Sequence, residues 1–248
     1  VDVDERALTN NAGITSVIAV AGGSYTKSTA LASVTQLSSG TFTTTAATDG
    51  AADTLTLAQA GAGVSTTLSA ANVEALTVSS GGTAANTVTM SALGSADLTS
   101  ITAAGTKGLT LSVSGTSLAT VDAAGITGVG SAFVLSASAS TADMTVTASP
   151  NRPTVALSGT ANTITTGAGD DTITGGAYKD VISAGAGDNT INAGGGDDTV
   201  TTAGGADTIT LGDGDNTVTD SGAGADVITG GAGNDTVTTA GAGADSID

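Results

Sequence analysis

From residue 166 to the last residue the chain repeats itself about every nine residues, and so short a period leaves few folds open. The blocks read TGAGDDTIT from Thr166, GGAYKDVIS from Gly175, AGAGDNTIN from Ala184, AGGGDDTVT from Ala193 and TAGGADTIT from Thr202. LGDGDNTVT from Leu211, SGAGADVIT from Ser221, GGAGNDTVT from Gly230 and AGAGADSID from Ala240 follow. In each, the Gly-rich first six residues can turn sharply, because glycine tolerates positive φ and carries no Cβ. The last three suit a strand. Its central aliphatic (Ile173, Ile182, Ile191, Val200, Ile209, Val218, Ile228, Val237, Ile247) is predicted to point inward while its neighbours, mostly Thr, point out. Two blocks then make one coil, and block n stacks on block n+2. Nine blocks give seven such pairs.

Charge decides what such a stack needs. Residues 157–248 hold 14 Asp against a single Lys, Lys179, a net −13, while Leu, Ile, Val and Phe number 14 of 92. That aliphatic share is below the ~20% under which highly charged chains stay disordered. The segment is predicted not to fold without cations.

These blocks fit GGxGxDxUx, U being a large aliphatic, and so resemble the RTX family of nonapeptide-repeat proteins. Leu157 to Thr165 looks like a degenerate leading copy or cap. The resemblance implies an all-β fold, a right-handed parallel β-solenoid (a calcium β-roll) over residues 157–248. It also implies calcium held between stacked turns by position-six side chains and turn carbonyls, since calcium takes 6 to 8 oxygens in irregular geometry. The metal ligands it assigns at position six are Asp171, Asp180, Asn189, Asp198, Asp207, Asn216, Asp226, Asp235 and Asp245. Asn189 and Asn216 lack a charge but follow Asp188 and Asp215, which are expected to compensate as ligands. Asp170 and Asp197 stand beside an intact Asp, so a solvent-facing role and ligation both stay open. Up to seven internal Ca2+ sites follow, whose +14 would nearly cancel −13.

The spacing of position six lengthens along the array. Asp171, Asn189 and Asp207 step by 18, whereas Asp207, Asp226 and Asp245 step by 19, the inserted residues being Asp220 and Thr239. Both precede a turn on the same side, so they either widen that edge with the calcium register intact or are tolerated drift.

Upstream, TLTL at Thr54, VEALTV at Val73, NTVTM at Asn86, LTLSV at Leu109 and MTVTAS at Met144 read as short strands. Leu98–Gly105 and Leu118–Gly125 echo each other 20 residues apart, which suggests about two strands per coil. Residues 51–156 are therefore expected to continue the solenoid as a less regular β-helix, the alternative being a separate sandwich joined near Pro150-Asn151-Arg152-Pro153. Gly50 to Leu55 resembles half a repeat, and a plain turn before a strand is the favoured reading. Residues 1–50 read as an irregular N-terminal segment in which the Ala/Val run at 17–21 is a strand or a short helix. The opening Val1-Asp2-Val3-Asp4-Glu5, without Met or a basic region, and an end inside a repeat suggest a fragment or processed product.

Composition narrows the function classes. With no His and no Cys there is no disulfide framework, no thiolate site, no HExxH and no ordinary triad base, so the chain reads as non-enzymatic. Carboxylate pairs can cleave glycosides, but these Asp residues lie in metal register. A charge of −18 repels nucleic acid and anionic lipid. The longest early apolar run, Val17–Gly23, is far short of the ~20 residues of a membrane span. A pore-former would want long amphipathic helices, and an ice-binding roll regular Thr in its turns. An acidic, cysteine-free chain of Thr, Ala, Gly, Ser and Val resembles bacterial surface-layer proteins. That likeness implies type I secretion, an extracellular cell-surface location and calcium-driven self-association into a lattice or other homo-oligomer. Cell-surface polysaccharide is a further candidate partner. An RTX adhesin or biofilm matrix protein, or a non-catalytic module of a larger secreted enzyme, are the alternatives.

Overall fold

The computed structural model describes residues 2–3, 16–19, 23–24, 33–37, 40–45, 54–71, 73–90, 98–114, 117–128, 132–137, 142–148, 151, 153–157 and 161–248. Among these, thirteen strands form one parallel sheet and twelve another. From Ser16–Ala19 onward consecutive strands alternate between the two, so each coil contributes one strand to each sheet and pairs with its neighbouring coils. The fold is an all-β parallel β-solenoid. No helix among the described residues is long and apolar enough to cross a membrane.

The solenoid runs through the point where a sandwich would have been joined. Val134 pairs with Thr154 and Thr154 with Thr172, so the same sheet passes from the irregular coils into the nine-residue blocks. The sandwich alternative is thereby excluded. Leu98–Gly105 and Leu118–Gly125 do stack, Ser100 on Thr120, with a bulge after Thr102 where Ala104 meets Gly125. The N-terminal segment is not irregular throughout, as Ser16–Ala19, Ser33–Gln36 and Gly40–Thr45 are strands paired in the same two sheets. The 17–21 run is thus strand over residues 17–19, and residues 20–21 lie outside the described residues. Of the half-repeat, only Thr54 and Leu55 are described, and they open the strand Thr54–Gln59.

Alternation fixes which side chains fill the interior. Along Thr54–Gln59, Leu55, Leu57 and Gln59 are buried; along Leu109–Val113, Leu109, Leu111 and Val113 are. In the nine-residue blocks the position-eight aliphatics from Ile173 to Ile228 are buried. In the last coil Val237 is only partly buried and Ile247 is 55% exposed, because this coil has a neighbour on one side only. Strands such as Thr172–Gly176 and Thr190–Gly195 also run past the expected three residues. The alternation therefore brings position one inward too, where Thr166, Ala184, Ala193, Thr202 and Leu211 are buried.

Candidate metal sites

Two stacks of turns flank the roll. One stack links residues 166 to 171, 184 to 189, 202 to 207, 220 to 226 and 239 to 245; the other links 175 to 180, 193 to 198, 211 to 216 and 230 to 235. At position four Gly169, Gly187, Gly196, Gly205, Gly214 and Gly233 take φ from +109° (Gly196) to +144° (Gly169), a region that resists a Cβ, whereas Tyr178 occupies that position in the second block. Position one is constrained differently. A Cβ at Gly175 would overlap the Asp180 carboxylate and the Ala193 carbonyl, so this glycine keeps the space beside a position-six side chain.

Position six points into the roll. Asp171, Asp180, Asn189, Asp198, Asp207, Asn216 and Asp226 are each no more than 2% exposed, while Asp235 and Asp245 in the last coil are half-buried. Each of these buried side chains except Asp171 clamps the coil before it. Asp198 Oδ1 accepts the Asp180 N–H at 2.7 Å, Asp207 Oδ1 that of Asn189 at 2.9 Å and Asn216 Oδ1 that of Asp198 at 2.9 Å. The clamp continues with Asp226 on Asp207 at 2.8 Å, Asp235 on Asn216 at 3.0 Å and Asp245 on Asp226 at 3.3 Å. Where the chain steps by 19 rather than 18, the turn grows from four residues to five while Thr208 still pairs with Val227, so the inserted residue widens one edge with the register kept.

The clamp uses one carboxylate oxygen and leaves the other. Asp180, Asp198 and Asp207 each bury an Oδ2 with no hydrogen-bond partner, and Asp171 buries both oxygens so. A buried carboxylate with an empty oxygen is costly, because nothing replaces the water it lost. Burial accordingly pushes Asp171 and Asp198 up to about 6, and raises Asp180, Asp207 and Asp226 as well. The two Asn meet this differently. Asn189 donates Nδ2 to Gly187 O and to Asp207 Oδ1, both at 2.9 Å, and Asn216 donates to Gly214 O at 3.1 Å.

Position five lies elsewhere. Asp188 and Asp215 are exposed, and their Oδ1 atoms accept the N–H groups of Ala206 and Asn234, each at 2.8 Å. Asp170 and Asp197 are also exposed and accept from Asp188 at 3.1 Å and Asp215 at 2.9 Å. Position five thus clamps the following coil from outside, whereas position six clamps the preceding coil from within. The structure does not bring Asp188 or Asp215 into the buried ladder beside the Asn that each precedes. Two members of the inner set escaped the sequence pattern. Asn162 donates its N–H and Nδ2 to Asp180 Oδ1, as its place 18 residues earlier could have suggested. Asp220, an inserted residue, is 2% exposed.

A hard divalent cation fits this donor set, since the orphaned carboxylate oxygens are anionic, buried and carried on the stacked turns. Among the described residues no three carboxylates converge on one point, so a site here would join one or two carboxylates to the carbonyls of the glycine turns. Bound calcium would supply the positive charge that these side chains lack.

Comparison with known proteins agrees with that chemistry. Residues 158–191, 165–200, 174–209, 183–218 and 211–247 match the model of the RTX calcium-binding nonapeptide repeat (4 copies). No curated protein and no solved structure matches the chain. The C-terminal region carries RTX repeats, and RTX nonapeptide repeats bind calcium.

Proposed function

We propose, from the RTX calcium-binding repeats that make up its last third, that this chain serves as a structural, non-catalytic part of an extracellular protein, one that folds on calcium and assembles into a surface lattice. The observation that carries the reading is the buried position-six ladder with its partnerless oxygens, joined through the same two sheets to a solenoid whose described coils bury no carboxylate. In this reading Asp171, Asp180, Asp198, Asp207 and Asp226, with Asn189 and Asn216, hold the inner ions, and Asp235 and Asp245 hold those of the last coil. Asp188 and Asp215 lend charge from outside.

Secretion suits the calcium requirement, because millimolar calcium is met outside the cell and the acidic repeats stay unfolded until then. Assembly follows from charge and shape. Two −18 chains repel each other until cations neutralise them. Solenoid ends carry strand edges open to pairing, so neutralised copies join end to end or through bridging ions. Electron microscopy of the full parent protein is expected to show ordered sheets at millimolar calcium and none in chelator. Magnesium should substitute poorly, given its stricter octahedron. A calcium-loaded parent that stays monomeric at high concentration and binds a host or glycan surface instead would make the adhesin reading the correct one.

A further inference from the structure

We infer that Pro153 is a positioning residue for Asp171: by offering no N–H it leaves both Asp171 oxygens to a cation, and so sets the coil at which the upstream solenoid stops when calcium is absent. The inference rests on the calcium reading above and adds to it the residue that places the border.

The position-six column runs through both regions. Val64, Asn86, Leu109, Phe133 and Pro153 occupy it upstream, all buried, and Asp171 is the first carboxylate after them. Strand pairing carries on across the border. Thr172 N–H donates to Pro153 O at 3.0 Å, as Thr190 N–H donates to Asp171 O at 2.8 Å one coil later. Only the reverse bond is missing. Every other position-six side chain of the blocks accepts the N–H of the residue one coil back, and for Asp171 that residue is Pro153, which has none.

The consequence falls on Asp171 alone. It is 1% exposed, and neither Oδ1 nor Oδ2 has a hydrogen-bond partner. Thr166, which opens the same turn, donates Oγ1 to Ala184 O at 2.8 Å instead. Asn189, one coil on, directs Nδ2 to Gly187 O and Asp207 Oδ1, both at 2.9 Å. An ionised carboxylate buried with both oxygens empty opposes the docking of its own coil on the solenoid below. A cation removes that opposition, and calcium takes a carboxylate through one oxygen or both. The clamped rungs have one oxygen already engaged, whereas Asp171 offers two.

Pro153→Ala supplies the missing N–H, Asp171→Leu places in the column the side chain that Leu109 places there upstream, and a double variant joins the two. Hydrogen exchange of the whole chain in excess chelator reads the amides of Thr172–Gly176, and circular dichroism in excess calcium checks the fold. These amides are expected to exchange freely in the unsubstituted chain and about tenfold more slowly in Pro153→Ala, the effect of one hydrogen bond to a charged group. Asp171→Leu should slow them at least as much, and the double variant no further than Asp171→Leu alone. Loss of a proline that merely stiffens the chain has the opposite sign, because it loosens the unfolded state and speeds exchange. Exchange in Pro153→Ala as fast as in the unsubstituted chain, or faster, overturns the inference and leaves the calcium reading intact, as does a gain that persists on top of Asp171→Leu. Amides of the unsubstituted chain that are already protected in chelator overturn both.

Discussion

Residues 54–157 and 162–248 share the same two sheets, yet their interiors are filled with opposite kinds of side chain. The upstream coils bury Leu55, Leu57, Leu68, Leu76, Met90, Ile101, Leu109, Leu111, Leu118, Phe133 and Leu135, and among the described residues no upstream carboxylate is buried. The downstream coils bury one Ile or Val at each position eight from Ile173 to Ile228, then mostly small residues and six carboxylates: Asp171, Asp180, Asp198, Asp207, Asp220 and Asp226. One backbone device serves both. Asn86 Oδ1 accepts the Val64 N–H at 2.8 Å, as Asp180 Oδ1 accepts that of Asn162 at 2.7 Å. The amide of Asn86 then satisfies itself by donating Nδ2 to Ser80 Oγ at 2.9 Å and to Gly81 O at 3.0 Å. The second oxygen of Asp180 finds nothing. The same clamp, changed from amide to carboxylate, turns a self-sufficient coil into one that requires a cation.

If that difference is real, substitutions upstream must act alike with and without calcium. Phe133, fully buried and paired with Leu109, gives the largest effect: Phe133→Ala is expected to cost about 3–5 kcal/mol through transfer and cavity terms. Urea unfolding followed by circular dichroism in calcium and in chelator should return the same loss for the upstream transition. A loss confined to one condition would break the separation of the two regions.

Acid offers a second route to neutralising the downstream ladder. Asp171 and Asp198 are raised from 3.8 to about 6 in the folded roll, so the folded state holds their protons more tightly than the unfolded chain. The stability this contributes is full below pH 3.8 and is lost as pH rises through about 6. Chelated protein titrated from pH 7 to pH 4 should therefore gain β-structure by circular dichroism, whereas the upstream signal stays level. A downstream signal that falls on acidification would show that these carboxylates are not buried. The smallest effect belongs to Asn86→Ala, which strands the Val64 N–H and is expected to cost about 1–3 kcal/mol in either condition.

The position-six and position-eight residues were legible because a fixed period superimposes them. Position one was not. The blocks place only three residues in each strand, which ends the alternation one step short of Ala184, Thr202 and Asp220. Upstream, strands such as Leu109–Val113 were legible from their alternation, but their partners less so, because coil length drifts. Ser33 pairs with Thr56, Ala75 with Ser100 and Ser100 with Thr120, steps of 23, 25 and 20 residues. No single offset reveals such a stack. The direction of the position-five carboxylates was illegible for another reason: Asp188 and Asn189 are adjacent, and only the backbone pleat sends one outward and the other inward.

Hydrogen exchange of the whole chain, read segment by segment in calcium and in excess chelator, tests the central claim most directly. The amides of residues 54–157 are expected to stay protected in both conditions, while those of residues 163–248 are protected in calcium and exchange freely in chelator, since the free energy of binding is there the free energy of folding. Downstream amides that remain protected in chelator would show that the carboxylate ladder holds itself together, and would contradict the account.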